Sequence, residues 1–214
     1  MIHYPILTYV SQFSPLLPIF AGFYRLNIKN RELILLLLYL IIGFIVDIIS
    51  MWVIKNYWIN LGLWHIFVLV EYGFIMSIIY LWQEAQKMKL FFMLLICLYI
   101  AFWFYAKLTF EPINGLYSIT VSVSQVILTL SAGYTLFVVI GNRVQPLFSN
   151  KRFWILLSFV FLYAGTLMPT VLVGMLFKQP REGIFTIWSI NWILTIFCNI
   201  LFTIGFLCPQ TQPS

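Results

Sequence analysis

The stretch from Leu61 to Trp82, LGLWHIFVLVEYGFIMSIIYLW, is long enough to cross a bilayer as a helix, and it carries His65 near one end and Glu71 at its centre. At about 1.5 Å rise per residue, Glu71 falls about 15 Å into the helix, near the midplane of a ~30 Å hydrocarbon core. A carboxyl group at that depth costs several kcal/mol against lipid, so it must face other helices, a partner or water. That requirement constrains the chain more than any other single feature.

Apolar runs of similar length recur along the sequence, at about 6–24, 33–54, 61–82, 90–108, 116–141, 153–177 and 184–207. The chain is 63% apolar and 8% charged, against about 25% charged in a soluble domain. An all-α polytopic transmembrane bundle of seven helices follows, a single domain over 1–208 with a short polar tail at 209–214. The connections are short, which sets neighbouring helices antiparallel and side by side.

The net charge of +6 does not indicate nucleic acid, because the basic residues sit in short loops between apolar segments. The loops after the first, third and fifth helices hold eight (Arg25, Lys29, Arg31, Lys87, Lys89, Arg143, Lys151, Arg152), and the other side holds four (Lys55, Lys107, Lys178, Arg181). That asymmetry predicts a cell (inner) membrane protein with its N-terminus outside and its C-terminus in the cytoplasm. A secretory signal peptide is not expected, since no Lys or Arg precedes Arg25. Lys107, at the outer end of the fourth helix, reads as a side chain snorkelling to the interface.

Pro15 and Pro18 in the first helix predict a kink near mid-membrane. Gly165, Pro169 and Gly174 mark the sixth helix as a second kink-prone segment. In the fifth, Ser118, Ser122, Gln125, Thr129 and Gly133 form one small and polar stripe, suited to close helix contact or to the wall of a solute pathway. In the seventh, Asn191, Thr195, Asn199 and Thr203 recur every four residues along one slowly rotating face.

Two acidic residues lie within the spans, Asp47 and Glu71, on consecutive helices. His65 and Asn191 come to the depth of Asp47, Gln125 and Thr195 to that of Glu71, and Asn199 is the clearest polar group in the inner half. Together they describe a polar recess open to the outside and closing near mid-membrane. Glu71, Asp47, His65, Gln125, Asn191 and Asn199 are therefore the candidate ligand- or proton-binding residues of a protein that binds or carries a small solute or ion. A membrane sensor or interaction subunit is the alternative, as is an intramembrane lipid-modifying enzyme using Asp47, His65 and Glu71. Beyond the bilayer itself, a homo-oligomer or a partner membrane protein stays open. No metal or cofactor is expected: HExxH, P-loop and GxSxG patterns are missing, and Cys97, Cys198 and Cys208 lack ligand spacing. Seven spans with an outer N-terminus also fit an opsin, but the last lysine, Lys178, precedes the seventh helix, where retinal would need one.

Trp64 and Glu71 in the third helix are echoed by Trp192 and Asn199 in the seventh, and Asn30-Arg31 before the second by Lys151-Arg152 before the sixth. Helices one to three and five to seven share orientation, as a parallel repeat joined by helix four requires. In this layout the chain resembles the three-plus-one-plus-three SWEET and PQ-loop transporters, although their intramembrane Pro-Gln pairs are not in its spans. The segments WHIFVLVEYGF, INGLYS and WSINWILTIFCNILFTIGF are also similar to a group of uncharacterised small bacterial membrane proteins. That resemblance implies the fold and brings no activity.

Overall fold

The computed structural model describes residues 6–25, 30–56, 61–113, 119–141, 146–176 and 181–208. Lys29, Ser118, Arg143, Lys178 and the 209–214 tail lie outside the described residues. The elements are α1 (Ile6–Phe13), α2 (Leu16–Arg25), α3 (Arg31–Asn56), α4 (Leu61–Trp82), α5 (Gln86–Thr109), α6 (Ile119–Gly141), α7 (Lys151–Leu176) and α8 (Arg181–Leu207), with a short 3-10 turn at Leu147–Ser149. Among the described residues no strand occurs. With α1 and α2 counted as one span, seven helices are long and apolar enough to cross a membrane. Several run past the apolar stretch that marks them. α5 begins at Gln86, because its polar first turn, Gln86 to Lys89, can be helical at the interface without entering hydrocarbon.

The break between α1 and α2 follows from proline chemistry. Pro15 has no N–H for the Ser11 carbonyl, and Pro18 has none for that of Ser14. Both acceptors are taken up locally: the Ser14 hydroxyl donates to Ser11 O at 2.6 Å, and the Leu17 N–H donates to Ser14 O at 3.1 Å. The helix resumes once the Ile19 N–H reaches Pro15 O. Asn199 of α8 then donates its side-chain amide to Ser14 Oγ at 2.7 Å, tying the break to the far end of the chain.

The spans close into a ring in the order α1–α2, α3, α4, α6, α7, α8 and back to α1–α2, and α5 lies outside it against α4 and α6. Lipid provides no hydrophobic drive between helices, so close packing and hydrogen bonds across contacts hold such a ring together. α7 and α8 approach through glycine. A Cβ on Gly165 would stand 2.6 Å from Leu194 Cδ1, and one on Gly205 would stand 2.7 Å from Ile155 Cγ1. Gly165 is thus a packing contact in addition to lying one turn before Pro169. Ser158 and Cys198 add a reciprocal pair, each donating to the other's carbonyl.

Two expectations need correction. The buried side of α6 is Thr120, Val121, Ser124, Gln125, Leu128, Ser131, Ala132 and Thr135. It lies about 100° round the helix from the stripe through Ser122, Thr129 and Gly133, with only Gln125 in common. A Cβ on Gly133 would meet nothing within 4 Å, so that glycine makes no close helix contact. The packed face is itself small and largely polar, but it is displaced round the helix from that stripe.

Lys107 does not snorkel. Its side chain is 4% exposed, and its Nζ lies 3.3 Å from Glu111 Oε2, 3.2 Å from Thr120 Oγ1 and 2.7 Å from His65 Nδ1. An ammonium has three protons, and here three acceptors receive them. As an acceptor, His65 Nδ1 carries no proton, which makes that ring the Nε2–H tautomer. Glu111 Oε2 also accepts the Thr120 N–H in the first turn of α6, where the helix dipole favours an anion. The cluster is what fixes α5 to the ring. It is joined by Tyr72 and Tyr99, whose rings stack at 4.0 Å and whose hydroxyls donate to Leu95 O and Thr120 O.

The bundle is filled unevenly. Toward the face where α3 and α7 begin, Leu36, Ile75, Met76, Ile78, Ile79, Ile155 and Phe159 are fully buried and pack the centre of the ring. Toward the opposite face, where α3 and α7 end and α1, α4, α6 and α8 begin, the centre of the ring is hollow.

Candidate functional site

Every span except α5 contributes to the wall of this cavity, whose volume is about 310 Å³. That is the lower end of the range typical of small-molecule sites. The α4 face turned to it is Trp64, Phe67, Val68 and Glu71, and the α8 face is Trp188, Asn191, Trp192, Thr195 and Asn199. Both follow the three-and-four spacing of one helix side. α3 supplies Tyr39, Gly43, Phe44 and Asp47, α7 supplies Tyr163, Thr166 and Thr170, α6 supplies Val121 and Gln125, and the break after α1 supplies Ser11, Gln12 and Pro15.

Glu71 sits at the inner end, where the cavity meets the dry core. Tyr39 of α3 and Tyr163 of α7 both donate their hydroxyls to its Oε1, each at 2.8 Å, and the two phenolic oxygens are 3.5 Å apart. α3 and α7 are opposite members of the ring, so this triad spans its centre. Lys151 and Glu32 join the same two helices at their first turns, 3.3 Å apart. Glu71 Oε1 therefore has two donors, and among the described residues Oε2 has none.

Gln125 is the second fixed group. Its amide Nε2 donates to Thr166 Oγ1 at 3.1 Å and Thr170 Oγ1 at 3.2 Å. Both threonine hydroxyls spend their own protons on carbonyls one turn back, Leu162 O and Thr166 O. They can only accept, so the amide nitrogen must face them and the amide oxygen must face away. That oxygen, Gln125 Oε1, is buried without a hydrogen-bond partner, and so is Gln12 Oε1 across the cavity. Leaving such an acceptor unpaired costs about 1–3 kcal/mol unless a ligand or water reaches it.

Of the residues singled out from sequence, Glu71, Asp47, Gln125, Asn191 and Asn199 come together on this one cavity. Asp47 is half-buried there with no hydrogen bond or ion pair among the described residues. His65 does not join them. It lies about 120° round α4 from Glu71 and is turned to α5, where it accepts from Lys107. The Asp47, His65 and Glu71 combination is accordingly split between two places. Tyr39, Tyr163, Gln12, Trp188, Thr166 and Thr170 were not singled out. Tyr39 did carry a signal, as the only hydroxyl in the aliphatic run from Leu33 to Ile42.

Among the described residues lining the cavity none is Lys, Arg or His, and no group of three His, Cys, Asp or Glu is placed to hold a metal ion. The Thr166, Thr170 and Thr195 hydroxyls of its wall each donate to a carbonyl one turn back, so none of these three is paired with a base. The chain matches no protein-family model, no curated protein and no solved structure.

Proposed function

We propose that this chain is an inner-membrane protein that binds, and by binding carries, a small solute in the central cavity, with Glu71 as its fixed polar centre. The observation that supports this reading is the convergence of both intramembrane carboxyl residues and two unpaired amide oxygens on one hollow. A network built only to fix helix register would satisfy its own members, as the Lys107 cluster does. Lipid chemistry by Asp47, His65 and Glu71 is disfavoured by the position of His65.

The Lys and Arg asymmetry supports a cavity open to the outside, since it lies toward the N-terminal end of the bundle. The ring order also supports a transporter-like three-plus-one-plus-three plan. Exchanging α1–α2, α3, α4 with α6, α7, α8 leaves the order of neighbours unchanged, and α5 is the odd helix out. Under that exchange Glu71 corresponds to Asn199, and both line the cavity.

Thr195 on the α8 wall provides the test. With Thr195→Cys in a background lacking Cys97, Cys198 and Cys208, an uncharged, membrane-impermeant maleimide added outside should label the new thiol. Failure to label it from either side means a sealed hollow, and the solute reading falls.

A further inference from the structure

The chemistry of the wall specifies more than a small solute. We infer that the cavity takes a small organic monocation, an ammonium group on an apolar or aromatic body; this rests on the solute-binding reading above. The buried polar atoms of its wall that lack partners, Gln12 Oε1 and Gln125 Oε1, are both acceptors, and both carboxyl and amide chemistry there is joined by no Lys, Arg or His among the described residues. Glu71 Oε2 and the Asp47 carboxylate have no hydrogen-bond donor among the described residues, and Gln12 Oε1 and Gln125 Oε1 are buried with none. Gln125 is 8% exposed, and the commitment of Thr166 and Thr170 fixes which way its amide points. An anion would meet two acids and no base at this wall. A neutral polyol would supply donors but no positive charge for a wall that carries two carboxylic acids. A monocation with N–H groups supplies donors and a positive charge that the two acids share.

The rest of the wall suits the body of such a ligand. Trp64, Trp188 and Trp192 line the half away from Glu71, and indole faces attract organic cations better than other side chains do. A bare metal ion fits less well, because its oxygen ligands would have to come from an aromatic-lined hollow of about 310 Å³ that is larger than one ion needs. The charge should rest against Glu71 and Asp47, with the body between the tryptophans.

The experiment uses the full chain in nanodiscs of zwitterionic lipid and reads tryptophan fluorescence together with equilibrium dialysis. The probes are phenethylammonium, its neutral analogue phenethyl alcohol, the anion phenylpropionate, and sodium and potassium ions. Phenethylammonium should bind saturably, at least tenfold more tightly than either analogue, and Glu71→Gln should weaken it at least tenfold. On Thr195→Cys, a cationic methanethiosulfonate should react faster than an anionic one, relative to their rates on a free thiol, and Glu71→Gln with Asp47→Asn should abolish the difference. Tighter binding of phenethyl alcohol or phenylpropionate overturns the cation assignment but leaves solute binding standing. The same holds for saturable sodium or potassium binding that excludes phenethylammonium. A thiol labelled equally by both reagents also overturns the cation assignment alone. No labelling by any reagent overturns the solute reading itself.

Discussion

At the scale of single residues, Glu71 can be changed so that structure and chemistry separate. A glutamine keeps an oxygen for the Tyr39 and Tyr163 hydroxyls and replaces only the group at the Oε2 position. Glu71→Gln should therefore unfold within about 1 kcal/mol of wild type while losing ligand binding, since the charge is removed and the acceptor retained. Glu71→Leu strands both phenols and should cost about 1–3 kcal/mol, read as a lowered midpoint in thermal unfolding in detergent. If Gln and Leu destabilise alike, the tyrosine grip is not what holds the side chain. Acidic and amide residues were legible in the sequence because they are rare and expensive within a span. The tyrosines were not, because an aromatic ring with one hydroxyl is tolerated at most depths. Only the partner at 2.8 Å distinguishes Tyr39 and Tyr163 from the others.

At the scale of elements, two devices hold helices that would otherwise drift. The buried Lys107–Glu111 pair fixes α5, and its three-acceptor geometry leaves no spare proton. Lys107→Met should cost about 3–5 kcal/mol, because it leaves the Glu111 carboxylate buried with its cation gone. The double variant Lys107→Met with Glu111→Gln should recover part of that loss, and double-mutant unfolding curves in detergent would show additivity instead if the two were independent. The second device is the α1–α2 break. Ser14→Ala removes the donor to Ser11 O and the acceptor for Asn199, so about 1–3 kcal/mol should be lost there too. The proline break could be read from sequence, since a missing N–H is a local fact. The α5 anchor was misread for a physical reason: lysine at a helix end normally reaches water, and only the i,i+4 position of Glu111 hinted otherwise. The polar stripe on α6 was misjudged because the helix carries small polar residues on two sides, and spacing alone does not reveal which side packs.

At the scale of the whole molecule, number and composition of spans follow directly from hydropathy, whereas the ring order does not, because most of each helix's circumference is apolar and its few polar groups do not name their partners. What orders them is the sparse polar contact across the centre, Tyr39 to Tyr163 through Glu71 and Glu32 to Lys151, and these pair residues far apart in the chain. The same geometry makes sidedness testable. Seven spans that all cross would put the two ends of the chain on opposite sides, and the eight-to-four distribution of Lys and Arg predicts the cavity end outside. A cysteine tag at the N-terminus, in an otherwise Cys-free chain, should react with an impermeant reagent in intact cells. A tag in the loop after α6, at 142–145, should react only after permeabilisation. Labelling of both from one side would mean that one of the first five spans does not cross. The opposite pattern, loop tag outside and N-terminus inside, would turn the cavity to the cytoplasm, and Glu71 would then take its solute from within the cell.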